Sequence, residues 1–220
     1  MRYKKRIERL KFWLKALVHE HHLVNLVWKN YHSIDDRLYR SAQLMPHDLR
    51  RIVRRVGIKT VVNLRGPQKD RAVYRIEKAV CRSLGVRMVD VEIYSRSLLD
   101  ERRLKDLKQV FDTIEYPALI HCKAGADRSS LAAVLYLYER GVPLEEAMRR
   151  QMRFWPFGYI AASKAGIMRY YFERYLADGQ NETLLQWTRH LDRQAIERDF
   201  AKYRQSAWVD WFYDNVLRRE

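Results

Sequence analysis

Pro117-Ala118-Leu119-Ile120-His121-Cys122-Lys123-Ala124-Gly125-Ala126-Asp127-Arg128-Ser129 is the stretch on which the fold turns. Its first six residues read as a short buried strand, and a helix begins at Arg128-Ser129. The tight loop between them turns its backbone amides inward and, with the helix N-terminus, makes a nest for an anion. Gly125 lets the backbone turn where a side chain would collide. Cys122 feels the positive helix end and the loop dipoles, which favour the thiolate. Arg128 offers a planar fork that can bind two oxygens of a phosphate. A thiolate in such a cradle is a nucleophile aimed at phosphorus. The sulfur is expected on the floor of a bowl that solvent reaches, with Arg128 closing the rim.

Outward from this loop the chain alternates. Arg37-Leu38-Tyr39-Arg40-Ser41 is a strand after the polar turn His32 to Asp36, and Leu49, Ile52, Val53 and Val56 mark a helix ending at Gly57. Thr60 to Leu64 is a β-branched strand, Ala72 to Leu84 a helix, Val86 to Ile93 a strand, and Glu101 to Ile114 a helix. The segments after Ser129 read as helices: Ser129–Arg140, Pro143–Phe154, Ala161–Leu176 and two beyond Asn181. The expected fold is α/β, one mostly parallel sheet of about four or five strands with helices on both faces. A catalytic domain over 31–178 would carry a basic amphipathic helix at 1–30 and a helical extension at 179–220.

The chain has 220 residues, 47% of them apolar, enough for a core. No apolar run is long enough to span a bilayer, since Leu10 to Trp28 is interrupted by Lys11, Lys15, His19, Glu20, His21 and His22. Two cysteines exclude a disulfide scaffold and fit a reducing compartment, so a cytoplasmic protein is expected. The net charge of +16 calls for an anionic partner. Its excess is concentrated at Arg2, Lys4, Lys5, Arg6, Arg9, Lys11 and Lys15, which could draw the protein to the inner face of an anionic membrane. No nucleic-acid motif accompanies the charge, so none is expected as partner. His19-Glu20-His21-His22 lacks metal-site spacing, and no metal or cofactor is expected.

His121 to Ser129 resembles the His-Cys-x5-Arg-Ser/Thr signature of the cysteine-dependent protein tyrosine phosphatase superfamily. Chance would produce those residues around a given cysteine at a frequency on the order of one in 10⁵. Leu38-Tyr39-Arg40-Ser41-Ala42-Gln43 and Gly57 to Arg65 extend the likeness to the compact bacterial dual-specificity-like phosphatases, over about residues 34–176. The resemblance implies that Cys122 attacks phosphorus and forms a phosphocysteine. Lys123, Ala124, Gly125, Ala126, Asp127 and Arg128 would hold the phosphoryl group. Ser129 would assist the thiolate, and His121 would orient the loop and tune the thiol. A sulfurtransferase of the rhodanese type typically has a shorter cysteine loop, and Arg128 argues against it.

The general acid stays open. Asp90 lies at the offset where the family places it, yet within an apparent strand; Asp127 sits inside the loop, and Asp100 lies further along the chain. Lys123 reads either as a second cation at the phosphate or as a solvent-facing rim residue. Arg40, Arg65 and Arg96 are candidates for the pocket or for surface ion pairs. Cys81 reads as an ordinary thiol, and the aromatics Trp187, Phe200, Tyr203, Trp208, Trp211, Phe212 and Tyr213 as packing. The expected substrate is a phosphorylated protein. The alternative is a phospholipid or inositol phosphate at an anionic membrane surface, docked through residues 1–30.

Overall fold

The computed structural model describes residues 27–179 and 181–204. The basic segment expected to be helical lies almost wholly outside them, as do Trp208, Trp211, Phe212 and Tyr213. Five strands form one sheet: β1 (His32–Ser33), β2 (Leu38–Ser41), β3 (Thr60–Asn63), β4 (Arg87–Asp90) and β5 (Ala118–His121). Their order is β1-β2-β5-β3-β4. β1 is antiparallel to β2, and the other pairings are parallel. Eight α-helices are described: α1 (Pro46–Val56), α2 (Ala72–Ser83), α3 (Glu101–Thr113), α4 (Asp127–Glu139), α5 (Leu144–Gln151), α6 (Ile167–Asp178), α7 (Leu184–His190) and α8 (Arg193–Tyr203). None among the described residues is long and apolar enough to cross a membrane.

Strand periodicity decides which face each side chain joins. Val61 and Leu119 pack with Leu49, Ile52 and Val53 of α1 and with Val80 and Cys81 of α2. One position on, Leu38, Val62 and Ile120 pack with α3, α4 and the later helices. Leu184, Trp187, Ile196 and Phe200 join that same core, so α7 and α8 share the apolar interior of the sheet domain.

The helix expected over Pro143–Phe154 ends at Gln151 and the one expected over Ala161–Leu176 begins at Ile167, and three further expectations change. His32–Ser33 is a short strand, not part of a turn. Asp35 accepts from the amides of Arg37 and Leu38 at 2.9 and 2.7 Å, so the reversal closes within Ile34 to Arg37 and its flanks pair. The strand expected over Val86–Ile93 keeps only Arg87–Asp90, because its partner β3 ends at Asn63; beyond it a single bridge joins Arg65 and Glu92. Helix α4 begins at Asp127, one residue earlier than expected.

Candidate active site

β5 lies in the middle of the sheet, between β2 and β3, and register aligns Ser41, His121, Asn63 and Asp90 across its carboxyl edge. The connection from β2 through α1 to β3 passes over the position that β5 fills. This is the kind of switch in strand order that opens a crevice at carboxyl ends. The loop leaving β5 is therefore placed over that crevice.

The carbonyl oxygens of four successive loop residues are bound from outside. That of Lys123 accepts from the Gln43 amide at 3.2 Å, and that of Ala124 from Asn30 Nδ2 at 3.0 Å. Those of Gly125 and Ala126 accept from Arg40 Nη2 at 2.8 and 3.2 Å. A trans peptide carries its N–H opposite its C=O. The amides of Ala124, Gly125, Ala126 and Asp127 thus turn to the inner side of the loop, the disposition an anion nest requires. Gly125 adopts φ 70. A Cβ there would lie 2.5 Å from the Ala42 amide and the Ser41 carbonyl carbon, so the loop meets β2 where no side chain fits.

Arg40 does not face the pocket. It lies on the same strand face as Leu38, fully buried, under the loop. Its Nη1 donates to Gln151 Oε1 at 2.9 Å and Nη2 to Ser130 Oγ at 2.8 Å, with the Phe157 ring 4.0 Å from the guanidinium carbon. Burial pushes Arg40 down to about 9, while the Cys122 and Asp127 charges pull it up.

Cys122 is 2% exposed, deeper than the open floor expected, because strand alternation carries it onto the core face shared with α4. Ser129 Oγ donates to its Sγ at 3.4 Å. Burial pushes the thiol up and Asp127 adds to that, but the Arg128 cation and the Ser129 hydroxyl and amide outweigh them, and the net shift is downward. The Arg128 charge thus favours the ionised form of this thiol. Lys123 is buried, not a solvent-facing rim residue. Arg65 is pushed down to about 10, chiefly by burial and then by the Arg128 charge. Arg96 is half-buried in the loop after Ile93.

The three carboxylates stand in different settings. Asp90 ends β4 with both oxygens engaged, by Asn63 Nδ2 at 2.8 Å and the Tyr74 hydroxyl at 2.7 Å. Asp100 caps α3 by accepting from the Arg103 amide at 2.8 Å. Asp127 is buried in the first turn of α4, close enough to raise the energy of the Cys122 thiolate.

Several site residues escape the sequence reading. His121 points to the α2 side, where its Nε2 lies 3.0 Å from Glu77 Oε1, both side chains buried. Burial pushes His121 down, but Glu77 and the Cys122 carbonyl more than reverse this, and its pKa is raised. Gln43 Nε2 donates to Glu77 Oε2 at 2.7 Å, and Gln43 Oε1 accepts from Arg65. A buried chain thus links His121, Glu77, Gln43 and Arg65. Glu77 had a signal: it is the charged residue on the α2 stripe of Tyr74, Val80 and Cys81. Asn30, Gln43 and Gln151 had none. No group of three His, Cys, Asp or Glu side chains suited to a metal occurs among the described residues.

Residues 32–150 match the model of a family described as the tyrosine phosphatase family. No curated protein matches the chain. Among solved structures, Tk-PTP in its active form is similar over 67% of this chain and 99% of its own, at 22% identity and a TM-score of 0.52. The core catalytic domain of the PP-IP phosphatase SIW14 from S. cerevisiae aligns over 69% of this chain and 93% of its own, at 18% identity and TM-score 0.52. PTPMT1 aligns over 69% and 99%, at 18% identity and TM-score 0.50. At these identities the likeness is one of fold.

Proposed function

Because the chain belongs to the tyrosine phosphatase family and is thus a phosphoric monoester hydrolase, we propose that it acts through a phosphocysteine on Cys122. The thiolate attacks phosphorus, an S–P bond forms, and the ester P–O bond breaks. The leaving oxygen takes a proton from Asp127. Water then attacks the phosphocysteine and returns its proton to Asp127, and sulfur departs as a thiolate held by Ser129. Arg128 and the inward amides stabilise the equatorial oxygens in both steps. The observation that carries this reading is the outward anchoring of four loop carbonyls around a thiol held below its ordinary range. Asp127 is favoured as the acid because it stands in the first turn of α4 and acts electrostatically on Cys122, whereas Asp100 caps the start of α3.

The primary substrate in this reading is a phosphotyrosine-type protein ester. The alternative is a multiply phosphorylated substrate, an inositol phosphate or a phospholipid headgroup, supported by the half-buried Arg65 cation, which feels the Arg128 charge. Residues 1–30 would then supply attraction to an anionic membrane. Turnover of phosphopeptides, inositol phosphates and phospholipids, with Cys122→Ser as blank, tests both. Cys122→Ser should abolish hydrolysis yet still bind vanadate. Retained turnover identifies another nucleophile, and an Arg65→Gln loss equal on all substrates removes the polyanion reading.

A further inference from the structure

Asn30 lies just before β1, outside the family match at 32–150, and takes a left-handed backbone conformation at φ 45. Positive φ is uncommon and strained outside glycine, and Asn tolerates it better than most residues. The residue is buried. Its Nδ2 donates at once to the Ala124 carbonyl at 3.0 Å and the Phe157 carbonyl at 2.9 Å, tying together segments 94 and 127 positions away. Its Oδ1 is buried without a hydrogen-bond partner among the described residues. Burying an unsatisfied acceptor is costly, so stability alone explains this side chain poorly.

The loop explains it better. The carbonyls of Lys123, Gly125 and Ala126 are held by β2 and its exit, through Gln43 and Arg40. The Ala124 carbonyl is held by Asn30, and Ala124 is the least buried of the four. The peptide between Ala124 and Gly125 rotates through ψ of the first and φ of the second, and glycine resists that rotation least. Rotated by half a turn, it would replace an inward N–H with a carbonyl oxygen aimed at the phosphoryl group.

We propose that Asn30 is a positioning residue that locks the Ala124–Gly125 peptide with its N–H toward the bound phosphoryl group and registers the Phe157 segment against the loop. The proposal rests on the phosphatase reading above. Phe157 packs its ring under Arg40 and edge-on to His32 at 5.0 Å, so its segment meets both side chains, Asn30 and Arg40, that hold the loop carbonyls.

The test uses Asn30→Ala, Asn30→Gly and Asn30→Asp in the full chain. It reads kcat on an aryl phosphate and inhibition by inorganic phosphate, both per folded molecule from thermal melts. Asn30→Gly keeps the left-handed turn and lacks the amide. It should lose about 10- to 100-fold in kcat, the range a loop misplaced by about 1 Å produces, and bind phosphate correspondingly more weakly. Asn30→Asp sets an acceptor against two carbonyls and should fall at least as far. If Asn30→Ala does not fold, Asn30→Gly carries the test. Wild-type constants in folded Asn30→Gly overturn the proposal and leave only the backbone turn. Melting points lowered in all three variants with unchanged constants overturn it equally. Failure of the phosphatase reading shows separately, as turnover retained by Cys122→Ser.

Discussion

Replacing Ser129 by alanine removes one oxygen from the cup and should move the ionisation of Cys122 by a readable amount. The hydroxyl donates to Sγ at 3.4 Å, and a hydrogen bond to a charged partner is worth about 1.5–3 kcal/mol. At 1.36 kcal/mol per pKa unit this is about 1–2 units upward, toward the lower end for so long a contact. The sign follows from the donor's preference for the thiolate: without it, burial regains ground against Arg128 and the Ser129 amide. The assay is the pH dependence of alkylation by neutral iodoacetamide, whose rate follows the thiolate fraction. Cys81 does not confuse it, since burial pushes that thiol up to about 12, above the limb that Cys122 sets. The same variant should accumulate phosphocysteine, because the departing sulfur has lost a donor. An alkylation limb that stays in place while the variant melts normally would refute the claim that this hydroxyl sets the thiol.

Two further changes separate chemistry from scaffold. Asp127→Asn should lose about 10²–10⁴-fold on an ester with a poor leaving group and far less on an activated one, as general-acid loss requires. Asp90→Asn should affect both esters alike and lower the melting point, because it disturbs the Asn63 and Tyr74 contacts; the reverse pattern moves the acid to β4. Glu77→Ala should destabilise by about 3–5 kcal/mol, the usual penalty for stripping one partner from a buried pair. His121 has a raised pKa in the fold, so the pair's contribution is complete below the ordinary histidine value near 6.5 and fades as pH rises through the raised one. Denaturant melts of wild type and variant should converge toward alkaline pH, and a constant gap would show that His121 is not charged.

The strand, loop and helix around Cys122 were legible because local chemistry specifies them: β-branched and aliphatic runs for β3 and β5, glycine where φ is positive, and apolar spacing for α1 to α4. The proposed nucleophile and its arginine could be named together from the sequence, since Cys122 and Arg128 lie six positions apart on one continuous turn of chain. Arg40 was visible as a residue and misread as a role, since its destination depends on which sheet face β2 turns toward the Gln151 end of α5. The partners of the loop could not be read at all. Asn30, Gln43, Glu77 and Gln151 reach the site from segments dozens of positions away, and only the packing of α2, α5 and the chain before β1 onto the sheet brings them there. Chain order dictates which chemistry is available. The non-local burial of charges and carbonyls selects which of those groups share one cavity, because that free energy exists only once distant segments have excluded water together.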